Sequence, residues 1–175
     1  MKSFLIIFAV LVPALASGFP GCHEDEAIDS AGGPPASPRT FASDKSGRFA
    51  TVTFPADDAQ PELRPSHRPP PKKVLVRDLE VGDGPVAGAG DTARLYYYSV
   101  DYRTGKRVYF RWPPEPALVH PLGNEPWEKA LFGMRVGGVR EVVVPSHLLF
   151  GTGTVDYVFE LLPGGDLGSV PPANG

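Results

Sequence analysis

A single cysteine, Cys22, in 175 residues excludes an intrachain disulfide and any cysteine-based zinc site. His23, His67, His120 and His147 are scattered without ligand spacing, so no metal site is expected. No Gly-x-Ser-x-Gly turn occurs and the lone cysteine sits near the amino end, which leaves covalent acyl chemistry without a nucleophile. An excess of either charge is also lacking. Lys plus Arg number 17 and Asp plus Glu 20, a net charge of -3, which argues against the basic face that nucleic-acid binding requires. Gly82-x-Gly84 and Gly88-x-Gly90 precede a strand-like segment, whereas a phosphate cradle needs a helix amino terminus at that point, so both read as turns. No cofactor is expected. The apolar run from Phe4 to Ala16 falls short of the ~20 residues of a bilayer span.

That short run suits a signal peptide over residues 1–21. Met1-Lys2 forms its basic start, and Ala14-Leu15-Ala16 offers a small-x-small cleavage site. Gly21-Cys22 offers a second possibility, cleavage before a cysteine that then carries lipid, against which stands a plain secreted chain with Cys22 left in its tether. Both readings place the mature protein outside the cytoplasm, whether secreted, periplasmic or a cell-surface lipoprotein, and touching a membrane only through the signal peptide or a lipid on Cys22. Glycine and proline are abundant, at 20 and 21 residues, and ten of the prolines fall between Pro20 and Pro71. Residues 22–48 therefore read as a disordered tether. Residues 49–73 read as a possible edge strand, Phe49 to Pro55, followed by a proline-rich spacer ending in Pro69-Pro70-Pro71. Residues 164–175 read as a flexible tail.

Residues 74–163 carry the punctuation of a small antiparallel sheet. Strands are expected at Val74–Leu79, Thr92–Tyr102, Arg107–Arg111, Ala117–Pro121, Arg140–Pro145 and Thr154–Leu162. In the long strand the period of two sets Ala93, Leu95, Tyr97 and Ser99 on one face and Tyr96, Tyr98 and Val100 on the other. One helix is expected, with Asn124 as cap, Pro126 in the first turn and Gly137 at its end; Trp127, Ala130, Leu131 and Met134 make one apolar face. The fold class that follows is α+β: a twisted antiparallel sheet wrapped over one short helix.

The order of these pieces resembles the FKBP-type peptidyl-prolyl cis-trans isomerases. Val74-Leu-Val-Arg-Asp-Leu-Glu-Val-Gly-Asp-Gly84, Gly90-Asp91-Thr92, the Tyr97 strand and Thr104-Gly105-Lys106 open the match. Pro121-Leu122-Gly123, Trp127 to Met134, Val136-Gly137-Gly138, Val144-Pro145, Phe150-Gly151 and Val158 to Leu162 continue it, over about half the chain. The resemblance implies an FKBP-like half-barrel that binds proline in an aromatic pocket and isomerises X-Pro bonds without acid, base or metal. Its partners would be proline-containing unfolded or exported polypeptides, and the protein itself a monomer. In this family the pocket residues correspond to Tyr97, Trp127, Phe150 and Tyr157 as the catalytic set, with Val108, Tyr109 and Leu118 as substrate-binding positions. Phe150 keeps a ring and lacks a hydroxyl; Tyr157 stands for a last-strand Phe, and Leu118 for a short-strand aromatic.

Two departures from the family pattern stand out. Val108-Tyr109 occupies the place of a Phe-Asp pair, so a carboxylate is missing. Only Asn124-Glu125-Pro126 separates Gly123 from Trp127, about four residues fewer than the pattern, and a Val-Ile pair that would clasp the peptide is gone. These departures support an alternative, a catalytically degenerate FKBP-fold module that binds peptides or acts as a chaperone.

Overall fold

The computed structural model describes residues 37–149 and 153–167. The expected signal peptide, Cys22 and Phe150 lie outside the described residues. Two antiparallel sheets are present among the described residues. The smaller consists of β1 (Arg39–Phe41), β2 (Thr51–Phe54) and β3 (Glu62–Arg64) in the order β1-β2-β3. The larger contains β4 (Leu75–Glu80), β5 (Thr92–Asp101), β6 (Arg107–Arg111), β7 (Leu118–Pro121), β8 (Val139–Val144) and β9 (Val155–Asp166). Its order is β4-β8-β9-β5-β6, with β7 also paired to β5 and the sheet left open. A single α-helix among the described residues, α1 (Pro126–Lys129), lies between β7 and β8. No helix among them is long and apolar enough to cross a membrane.

Alternation along β5 sorts its side chains between two cores. Ala93, Leu95 and Tyr97 pack with Leu122, Ala130, Leu131 and Met134 beneath the helical turn. Tyr96, Tyr98 and Val100 pack instead with Val52, Phe54, Leu63 and Trp112. Strands β8 and β9 divide the same way: Val142, Val144, Tyr157 and Phe159 join the first core, Val139 and Val158 the second. All six residues of β8 are buried, because both of its faces are covered.

The segments ahead of the domain depart from their expected states. Residues 39–41, placed in the disordered tether, form β1 and pair with β2 in the register Arg39↔Phe54, Phe41↔Val52. Phe41 lies edge-on to the Phe54 ring at 6.1 Å, and Arg39 pairs with Glu80 and covers the Phe54 ring. These partners are distant in sequence, so local composition does not reveal them. The expected edge strand is instead the centre of the small sheet, and Glu62–Arg64, read as spacer, is its third strand. At the other end, β9 runs past Leu162 to Asp166, which pairs with Thr92, so residues 164–166 belong to the sheet and not to a tail.

The helix is shorter than its apolar face suggests. Glu125, and not Asn124, is its cap; Pro126 fills the first position. After Lys129 the chain tightens into turns, with Leu131 N–H donating to Glu128 C=O at 2.9 Å and Met134 N–H to Leu131 C=O at 3.0 Å. Gly133, at φ +79°, takes the left-handed conformation that ends this run, before Gly137 is reached.

Candidate functional site

The core beneath α1 opens to solvent through a cavity of about 220 Å³ lined by Tyr97, Tyr109, Leu118, His120, Trp127, Tyr157 and Phe159. Phe159, 1% exposed, is its floor. The Trp127 ring stacks on Phe159 at 5.7 Å and 13°, the Tyr157 ring at 5.3 Å and 11°, and Tyr97 tilts against it at 6.4 Å. The His120 ring lies 5.0 Å from Trp127 and completes the wall. A larger cleft of about 640 Å³ lies elsewhere, along Arg68 to Lys73. It is bordered by prolines and cations and has no aromatic ring, so the smaller cavity is the one shaped for an apolar guest.

Five of the expected site residues meet in this cavity: Tyr97, Trp127, Tyr157, Tyr109 and Leu118. Val108 does not. The pairing Tyr97↔Arg111 puts Tyr109, two residues from Arg111, on the Tyr97 face, and Val108, the extra residue where the register shifts, stays outside the cavity lining. Where the family pattern puts an aromatic-carboxylate pair, this chain therefore brings a phenol to the cavity and leaves the aliphatic side chain outside its lining. A bulge at Val108-Tyr109 fixes that orientation: the Ser99 hydroxyl donates to the Tyr109 C=O at 2.9 Å and accepts the Tyr109 N–H at 3.0 Å. His120 and Phe159 were not among the expected residues. The signal for both was parity, since they stand two positions after Leu118 and Tyr157 on the same strands.

The shortened segment before the helix is organised by Glu128. Its Oε2 accepts the N–H groups of Gly123 and Glu125, each at 2.9 Å, and its Oε1 lies 2.7 Å from His120 Nε2. Burial pushes this carboxyl up, but the hydrogen bonds from His120, Glu125 and Gly123 together outweigh it and hold it below the usual glutamate value. The Gly123 and Glu125 N–H groups are thereby spent inside the protein and do not face a ligand. Donors toward the cavity come from side chains instead. The hydroxyls of Tyr97, Tyr109 and Tyr157 have no hydrogen-bond partner among the described residues. Burial, then the neighbouring Tyr109 and Tyr97, push the Tyr157 phenol up to about 12, so it stays a neutral O–H donor at neutral pH. Among the described residues no group of three or more His, Cys, Asp or Glu is placed to hold a metal ion.

This cavity of rings on an open sheet can desolvate a small apolar ring and hydrogen-bond carbonyls beside it. Comparison with known proteins agrees with that outline. An FK506-binding protein of Streptomyces anulatus is 37% identical over 86 residues, which are 47% of this chain and 69% of the relative. A probable FK506-binding protein of Corynebacterium glutamicum is 28% identical over 94 residues, 53% of this chain and 80% of the relative. The chain belongs to the FK506-binding protein (FKBP) family. Among solved structures, a peptidyl-prolyl cis-trans isomerase of Pseudomonas syringae is 20% identical, with 53% of this chain and 75% of that chain covered and a TM-score of 0.46. No family model matches the chain.

Proposed function

We propose that the protein is a peptidyl-prolyl cis-trans isomerase that receives the proline of an X-Pro segment in the cavity above Phe159. The observation that carries this reading is the open, ring-lined hollow of about 220 Å³ within a member of the FKBP family. A volume below the ~300 Å³ of drug-sized pockets suits one proline ring and its amide. Resonance in that amide imposes a barrier of ~18–20 kcal/mol between its cis and trans forms. Removing the amide from water disfavours the planar, charge-separated state more than the twisted one, and a cavity shaped to the twisted form adds differential binding. Tyr97, Tyr109 and Tyr157 supply hydroxyl donors to the flanking carbonyls, the role left open by the missing carboxylate and clasp.

A second reading, a peptide-binding or chaperone module without turnover, is supported by Tyr109 in the carboxylate position and by the commitment of the Gly123 and Glu125 N–H groups to Glu128. NMR exchange spectroscopy on a short X-Pro peptide separates the two. The isomerase reading predicts cis-trans exchange accelerated at micromolar protein; binding without acceleration would leave the second. The clients proposed are proline-containing polypeptides outside the cytoplasm, met by a monomer that is secreted or held by lipid on Cys22. The mass of the mature amino terminus tests this: a diacylglycerol-modified Cys22 supports the anchored form, an unmodified start at Ser17 the secreted one.

A further inference from the structure

His120 is the one side chain lining the cavity whose residue type ordinarily changes charge between about pH 5 and 8. The alternating exposure of β7 sets it beside Leu118 on the cavity face. Its Nε2 is committed to Glu128 Oε1 at 2.7 Å, and Glu128 Oε2 already accepts two backbone N–H groups. A carboxylate so surrounded by donors is ionised and can only accept, so Nε2 carries the hydrogen. The neutral ring therefore has a bare Nδ1, and protonation converts that atom into a second donor. Nδ1 has no hydrogen-bond partner among the described residues.

An X-Pro segment in the cavity offers acceptors and no donor of its own at the reacting amide. Proline has no N–H, so the reacting amide offers only its carbonyl and, as the bond twists out of resonance, the lone pair on its nitrogen. A bare Nδ1 repels both, whereas an Nδ1–H can bond to either. We propose that protonated His120 is a substrate-contacting hydrogen-bond donor of this site, so that the imidazolium form of the protein is the more active one. The proposal rests on the isomerase reading and adds a pH dependence to it. Among the described residues, the other titratable groups around the imidazole are Glu128 on α1 and the phenols of Tyr97 on β5, Tyr109 on β6 and Tyr157 on β9, and no lysine or arginine lines the cavity. Arg111, on the Tyr97 face of β6, is turned to the Pro116 carbonyl at 3.4 Å.

The test is kcat/KM for an X-Pro peptide without titratable side chains, measured by NMR exchange from about pH 5.5 to 8.5 for the wild type, His120→Phe and His120→Gln, with amide spectra as the check of folding. For the wild type the expected result is a fall of about fivefold to tenfold as pH rises, following the NMR titration of the His120 ring protons. His120→Phe and His120→Gln should both give flat profiles, whatever their absolute level, because neither side chain changes charge in this range and the Gln amide keeps only the bond to Glu128. A flat wild-type profile, or a slope retained in His120→Phe, overturns the proposal while leaving the isomerase reading intact. Absence of turnover in all three proteins contradicts the isomerase reading instead, and peptide affinity read from tryptophan fluorescence then decides on His120. Tighter binding at low pH that requires His120 supports its donor role; equal affinity at both ends of the range overturns it.

Discussion

Tyr97 and Trp127 differ in what they give the site, although both rings lean on Phe159. The Tyr97 ring packs against that floor at 6.4 Å while its hydroxyl has no partner among the described residues. Tyr97→Phe should therefore leave the unfolding free energy within about 0.5 kcal/mol of wild type and lower kcat/KM about fivefold, as compared by urea titration and peptide exchange. A change in stability larger than the change in turnover would contradict its assignment to the pocket. Trp127 stacks on Phe159, lies tilted against His120 and is half-buried in the core under the helical turn. Trp127→Ala should cost roughly 2–3 kcal/mol, the lower end for a large ring because part of it is already in water, together with most of the activity. Family resemblance made Tyr97, Trp127 and Tyr157 legible, and the strand period implied Phe159. What the sequence could not supply was the register of β6, since the bulge at Val108-Tyr109 depends on the buried Ser99 hydroxyl across the strand pair.

At the scale of elements, the turn from β7 into α1 stands or falls with Glu128. Its carboxylate gathers three donors, so Glu128→Ala removes the acceptor of two backbone N–H groups and an imidazole. The expected loss is about 2–3 kcal/mol. The sign of the pH effect follows from the depressed folded value: Glu128 contributes its full stabilisation above about 4.5, its unfolded value, and the contribution disappears as pH falls through the lower folded value. Urea midpoints of wild type and Glu128→Gln should thus differ clearly at neutral pH and converge in strong acid. A gap that widened in acid would show that the carboxylate is not held as described. The helix itself was legible from Pro126 and the Trp127-Ala130-Leu131-Met134 spacing, but its length was not. The carbonyls after Lys129 bond in tighter turns because Arg140 donates to the Ala130 and Phe132 C=O groups at 2.9 and 3.1 Å, contacts ten and eight residues away in sequence.

Across the whole molecule, the second face of the large sheet is covered by residues that the sequence presents as tether and spacer. Arg77 fastens them: its guanidinium donates to the Ala42 and Ala50 carbonyls and to Glu141, whose Oε1 accepts the Ala50 N–H at 2.8 Å. Composition read residues 39–48 as part of a disordered tether, 49–55 as a possible edge strand and 60–64 as spacer. They fold because Val52, Phe54 and Leu63 meet Val100, Trp112 and Val158, which local reading cannot anticipate. Asp156 lies inside this junction beside Glu141. Burial, then the Glu141 charge, raise the Asp156 carboxyl well above its usual value, so the folded protein keeps a proton there that the unfolded chain gives up. That contribution to stability is complete below about 3.8, the unfolded value, and is lost as pH rises toward the folded one. The thermal midpoint of wild type should accordingly fall toward alkaline pH more steeply than that of Asp156→Asn, as followed by circular dichroism; parallel curves would contradict the buried proton. The central claim concerns the other face, where proline is held over Phe159 while its amide turns. One NMR sample of protein and X-Pro peptide tests it, by recording cis-trans exchange together with contacts between proline ring protons and the protein. The account predicts accelerated exchange with contacts to Tyr157, Phe159 and Trp127; unchanged exchange, or proline contacts confined to the cleft along Arg68 to Lys73, would contradict it.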